Sequence, residues 1–181
     1  YRQLGDLPVL VSEIGIGTAQ LSNTDGTFPG TNHIPIDEAK TIIKQAIDSG
    51  VTFFDTAPSY GNTELLLGEL SSDTKSKVTI ATKAGLRKDR TGQISRDFSE
   101  SYLTRQVDQS LTRLRVDCLD LFQLNKPTHT DLADGRLFEL LNIFRDSGKI
   151  RHAGIVIGSS ESALACLRSD SVDCVQILYR S

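Results

Sequence analysis

The chain has no apolar run near membrane-spanning length, no run of lysines, and only three cysteines in 181 residues. The first absence removes any candidate membrane helix, since about 20 mostly apolar residues are needed to cross a bilayer. The opening residues read as no signal peptide either. Without a basic run, and with a net charge of −3, general nucleic-acid or membrane-surface binding is not expected. Cys118, Cys166 and Cys174 are odd in number and lie in apolar stretches. They read as buried thiols in a reducing compartment, so no disulfide framework and no metal site is expected. The cytoplasm is the default location. A last absence narrows the fold: no G-x-G-x-x-G or P-loop motif follows any candidate strand.

What is there is a globular composition, 38% hydrophobic and 24% charged, long enough for one domain with a full core. Residues 1–12 read as a small hairpin around Gly5-Asp6. Core strands are expected at 13–18, 51–55, 78–82, 118–124, 152–157 and 174–178. Between them lie helical patterns. Asp37 is the expected cap of a helix with Ala39, Ile42, Ile43, Ala46 and Ile47 on one face, closed by Gly50. Further helices are expected at 63–70, from Ser99 or Ser101 through Leu114, at 134–147 and at 160–168. Residues 20–36 and 84–97 read as polar loops. The first suits a lid or substrate wall, and equally a neutral insertion.

Strands alternating strictly with helices imply right-handed βαβ units and a parallel sheet, either doubly wound or closed as a (β/α)8 barrel. Polar residues sit at the ends of several different strands, which is the barrel habit. About six βα units are read here, whereas a barrel takes eight and about 250 residues.

The polar ends carry the chemistry. The run Val51-Thr52-Phe53-Phe54 reads as a buried strand that stops at Asp55, and an ionised carboxylate is seldom left there unused. Lys83 and Asn125 end the next two strands, and Tyr60 lies on the loop after Asp55. Neighbouring strands about 4.8 Å apart would bring these four together. An acid beside Lys83 would hold its ammonium charged. That charge would lower the Tyr60 phenol below its ordinary value of about 10, making it a general acid. Asn125 can donate to the same carbonyl oxygen. Each residue also has an ordinary reading: a rim salt bridge, a loop anchor, a turn residue before Lys126-Pro127. Four complementary groups at successive strand ends favour the functional one. His129, on a polar loop, and His152 read as structural, and His33 stays open. Gly15-x-Gly17 alone is a weak signal for ligand approach.

These residues resemble the aldo-keto reductase family from end to end. Gly15-Ile16-Gly17-Thr18 is similar to its first-strand motif. Phe54-Asp55-Thr56-Ala57-Pro58-Ser59-Tyr60-Gly61, with Glu64 and Leu67-Gly68-Glu69-Leu70, is similar to its signature. Ala81-Thr82-Lys83 supplies the lysine, and residues 110–121 resemble the S-L-x-R-L-x-x-D-x-x-D-L segment. Lys149-Ile150-Arg151, Gly154 and Gln176 match the later strands. The resemblance implies a (β/α)8 barrel that reduces carbonyls with NADP(H) and without metal. It implies Asp55, Tyr60, Lys83 and Asn125 as catalytic residues, and Gly17, Thr18, Asp55 and Gln176 as the cofactor's lining. Three positions depart from the pattern. Asn125 stands where the family usually has His, as in the branch of the potassium-channel β subunits. Val156-Ile157 replaces the Ser-Asn that holds the nicotinamide amide, and Ala19 replaces a tryptophan. The last two βα units, with their 2′-phosphate ligands, are not found, so residues 1–181 are expected to be one barrel domain lacking them. The expected partner is a small carbonyl substrate. The alternatives are a non-catalytic, regulatory protein of this fold, an inactive fragment, or Schiff-base aldol chemistry on Lys83.

Overall fold

In a computed structural model, residues 1–4, 7–22, 34–88, 93–158, 163, 166 and 169–177 are described. The chain begins with β1 (Arg2–Gln3) and β2 (Leu10–Val11), an antiparallel pair as the sequence suggests. The turn at Gly5-Asp6, most of the loop at 20–36 with His33, and most of the helix expected at 160–168 lie outside the described residues.

The main sheet contains β3 (Ile16–Gly17), β4 (Phe53–Asp55), β5 (Thr79–Ala84), β8 (Leu119–Asn125), β9 (Ile150–Val156) and β10 (Cys174–Gln176). All five pairings are parallel, and spatial order follows chain order from β3 to β10. A doubly wound sheet would reverse direction at a switch point. This one never reverses, and its six strands curl as part of a barrel wall.

Helices cover the outer face. They are α1 (Ile36–Asp48), α2 (Thr63–Gly68), α4 (Glu100–Leu114) and α6 (Arg136–Asp146), with short α3 (Ser72–Lys75) and α5 (His129–Leu132). Alternate strand residues point to opposite faces. Phe54, Ile80, Phe122, Leu124 and Ile155 point outward into one apolar core with Ile43, Leu67, Leu103, Val107, Leu141 and Phe144 of the helices. Phe122 and Phe144 meet edge to face, centroids 6.0 Å apart. Each fully buried large side chain of this kind contributes roughly 1.5–3 kcal/mol.

Several details correct the sequence reading. Pro35, not Asp37, is the N-cap of α1, and Asp37 lies in its first turn. Of the two starts expected for α4, Ser99 is the one observed, and it caps the helix by accepting from the Tyr102 amide. Residues 84–97 are not merely a loop, for β6 (Leu86–Lys88) pairs antiparallel with β7 (Ile94–Arg96). His129 opens a helix whose Thr128 and Asp131 form a capping box. Of the cysteines only Cys166 is buried; Cys118 and Cys174 are half-buried, and all three are free.

Candidate active site

Strand register assembles the site. Gly17 lies opposite Asp55, Lys83 opposite Gln123, Asn125 opposite Val156, and Val156 opposite Gln176. These positions share the inner face, near the carboxyl ends of the strands. Asp55 is the centre. Its Oδ1 accepts from the Lys83 ammonium and, at 3.4 Å, from Gln123 Nε2. Its Oδ2 accepts from Gln176 Nε2 at 3.4 Å. Lys83 also donates to the Thr56 carbonyl at 3.2 Å. Gln123 was not singled out in the sequence, although it stands two residues before Asn125 and therefore on the same face.

Tyr60 closes the group from the loop, its ring 5.4 Å from Lys83 Nζ. Its acidity corrects an expectation. Burial, assisted by the Asp55 charge, pushes the phenol up to about 12 instead of lowering it. The ammonium that was to lower it is itself opposed by Asp55. Burial also draws the Lys83 ammonium below the usual lysine value, against the attraction and hydrogen bond of Asp55. Tyr60 therefore keeps its proton at every physiological pH.

These groups open on a cavity of about 160 Å³, lined by Asp55, Tyr60, Lys83 and Asn125 and closed by Leu86, Arg87 and Ile94 of the hairpin. Larger hollows lie along α4 and between α4 and α6, lined mostly by surface polar side chains. The smaller cavity holds the buried ionisable groups, which marks it as the site. Asn125 is buried and its amide bonds to no other described residue. Lys126 also lines the cavity, with a left-handed φ of 58° although it precedes Pro127. The residue before proline prefers extended backbone, and such a departure costs on the order of 1–3 kcal/mol.

The residues expected around a nicotinamide fit it in part. A Cβ on Gly17 would meet nothing within 4 Å, so there is open space beside Asp55. Gln176 Oε1 is buried with no hydrogen-bond partner, an acceptor left for a donor such as a carboxamide. Thr18 is fully buried and its hydroxyl donates to the Asp55 carbonyl at 3.2 Å. It braces β4 and does not face the cavity. Val156 lines the cavity with an apolar side chain, and Ile157 packs against the outer core. Among the described residues no group of three or more His, Cys, Asp or Glu is placed to hold a metal, and no helix is long and apolar enough to cross a membrane.

A second polar cluster lies directly behind the first. Glu64 of α2 accepts from Thr82 Oγ1 and Arg113 Nε, each at 2.6 Å. The helices α2 and α4 approach closely here, since a Cβ on Gly68 would lie 2.1 Å from the Arg113 carbonyl oxygen. Motif residues Glu64, Gly68 and Arg113 thus form an internal joint and not part of the cavity.

Comparison with known proteins agrees with this geometry. The family model for the Aldo/keto reductase family matches residues 13–180. The chain is 32% identical over 169 residues to 6-dehydroglucose reductase of Novosphingobium aromaticivorans, covering 86% of this chain and 50% of that protein. It is 30% identical over 166 residues to L-galactose dehydrogenase of Arabidopsis thaliana, covering 85% and 47%. The holo form of an aldo-keto reductase from Bacillus halodurans superposes with a TM-score of 0.82 at 27% identity, covering 98% of this chain and 57% of that one. The chain spans about half the length of the curated relatives it matches. With the strand order, the site and these matches in agreement, the chain belongs to the aldo/keto reductase family.

Proposed function

We propose that this protein reduces an aldehyde or ketone to an alcohol with NADPH, and that Tyr60 gives the proton to the carbonyl oxygen. The observation that carries this is the Asp55–Lys83 pair set beside Tyr60 on the wall of one cavity. When bound, reduced nicotinamide supplies a hydride. The chain's own residues do the rest. Tyr60 presents a hydroxyl that burial keeps protonated. Asn125 donates its amide to the same oxygen, stabilising charge that builds there. Asp55 and Lys83 fix each other, and Gln123 and Gln176 hold the carboxylate in place. Gly17 and Gln176 would hold the nicotinamide.

The two relatives named above, a reductase and a dehydrogenase by name, support an oxidoreductase. Schiff-base chemistry is disfavoured because Lys83 spends its protons on Asp55 and Thr56. The domain we envisage is a single barrel of which residues 1–181 supply six βα units, acting on a small carbonyl compound in the cytoplasm. The outer edges of β3 and β10, which pair with no strand among the described residues, together with the length of the relatives, support that view.

The test is reduction of simple aldehydes by the full chain, followed by NADPH absorbance. Tyr60→Phe should leave the circular dichroism unchanged and lower kcat by about 10²–10⁴-fold, the usual share of a general acid. Near-full turnover in that variant would remove Tyr60 from the role.

A further inference from the structure

We infer that the carbonyl substrate carries an oxyanion, a carboxylate or a phosphate, held by Arg87 and Lys126 at the cavity; this rests on the reductase reading above. The cavity lining holds three cations, Lys83, Arg87 and Lys126, against one carboxylate, Asp55. That is the reverse of the chain as a whole, whose net charge is −3. Asp55 is already taken by Lys83, so two positive charges are left to face whatever enters.

Basic side chains elsewhere are mostly matched. Lys40, Lys44, Lys77, Arg136, Lys149 and Arg151 each meet a carboxylate. Arg87 and Lys126 form no ion pair with any described residue. The acid that feels Arg87, Asp97, directs its own carboxylate to Ser99. The two bases also come from separate elements, β6 and the turn after β8, which both border the cavity. At Lys126 the backbone holds a left-handed conformation directly before Pro127.

The rest of the lining completes the description of the ligand. Tyr60 and Asn125 take a carbonyl, while Leu86, Ile94 and Val156 offer apolar contact. A cavity of about 160 Å³ is on the scale that holds a benzene ring. The ligand is therefore a small carbonyl compound with an apolar body and an anionic group. Arg87 can grip carboxylate or phosphate through two parallel N–H donors, and Lys126 adds a point charge.

The experiment uses the full chain and three aldehydes: 4-carboxybenzaldehyde, its methyl ester and 4-formylphenyl phosphate. Binding is measured by titration calorimetry, and turnover is measured with NADPH. At least one charged aldehyde should bind about tenfold tighter than the ester, which is what two exposed ion pairs within their usual range supply. The tighter of the two names the oxyanion. The preference should shrink between about 50 mM and about 500 mM salt, because screening acts on the charged compounds alone. It should vanish in Arg87→Gln combined with Lys126→Asn, where asparagine tolerates the left-handed backbone. It should survive in Arg87→Lys combined with Lys126→Arg, which keeps both charges. Equal affinity for ester and charged aldehydes, no binding of any of the three, or a preference that outlives the charge-removing pair overturns the inference. Turnover of all three without preference would overturn it and leave the reductase reading standing. Preferential binding without turnover of any would do the opposite.

Discussion

Thr82 and Lys83 are neighbours on β5, and each touches a carboxylate, on opposite faces of the sheet. Thr82 reaches outward to Glu64, which is 1% exposed and shared with Arg113. Lys83 reaches inward to Asp55, which is 16% exposed and borders the cavity. In the outward cluster both carboxylate oxygens are taken by partners inside the fold, and helices seal it. In the inward cluster the carboxylate is held by Lys83, Gln123 and Gln176, and Tyr60 and Asn125 line the cavity beside it. The same kind of bond therefore serves two ends. Where it is closed it joins α2, α4 and β5; where it opens it leaves polar groups for a ligand.

The contrast can be broken most forcefully from the outside. Arg113→Met would strand Glu64 in an apolar joint, and breaking a buried pair in this way costs about 3–5 kcal/mol. Urea unfolding should record that loss, while the folded fraction keeps its turnover. A loss below about 1 kcal/mol would show the joint to be dispensable.

A smaller effect is expected from pH on the inner face. The Tyr60 phenol is raised from about 10 to about 12 in the folded chain. The unfolded chain therefore releases this proton first as pH rises. The stability tied to the phenol is complete below pH about 10 and is lost between about 10 and about 12, to a total of about 3 kcal/mol at most. Comparing alkaline unfolding of the wild type with that of Tyr60→Phe isolates this contribution, because the variant has no proton to lose. A stability difference that stays flat through that window would contradict the burial described for Tyr60.

The smallest effect belongs to Asn125→His. The position lines the cavity, so stability should change by less than about 1 kcal/mol. Activity on simple aldehydes should rise, since an imidazole there can offer the carbonyl oxygen a stronger donor than an amide. Misfolding of the variant would show that Asn125 is a packed turn residue.

The contrast between the faces also explains what the sequence disclosed. Elements with one long apolar face were legible: α4 through Leu103, Val107 and Leu114, and α6 through Leu137, Leu140, Leu141 and Phe144, all buried. Strand ends carrying Asp55, Lys83 and Asn125 were legible because a charge or amide after an apolar run is conspicuous. The β6–β7 hairpin was not, since its described side chains are largely exposed and no alternation marks it. The helices α3 and α5 have four residues each, too few for a helical period to register. Gln123 was hidden inside the apolar run of β8, where only a neighbour across the sheet gives it meaning. The rise in the Tyr60 phenol depends on burial, and a list of nearby charges could not supply it.

Lys83→Met tests the division between the faces most directly, with unfolding free energy and NADPH-dependent turnover measured on the same preparation. Asp55 would keep Gln123 and Gln176 as donors and remain open to the cavity. Stability should then fall by only about 1–2 kcal/mol, and turnover by about 10²-fold or more. A stability loss matching that of Arg113→Met with turnover preserved would contradict the account, for it would make Asp55–Lys83 a structural joint like the one behind it.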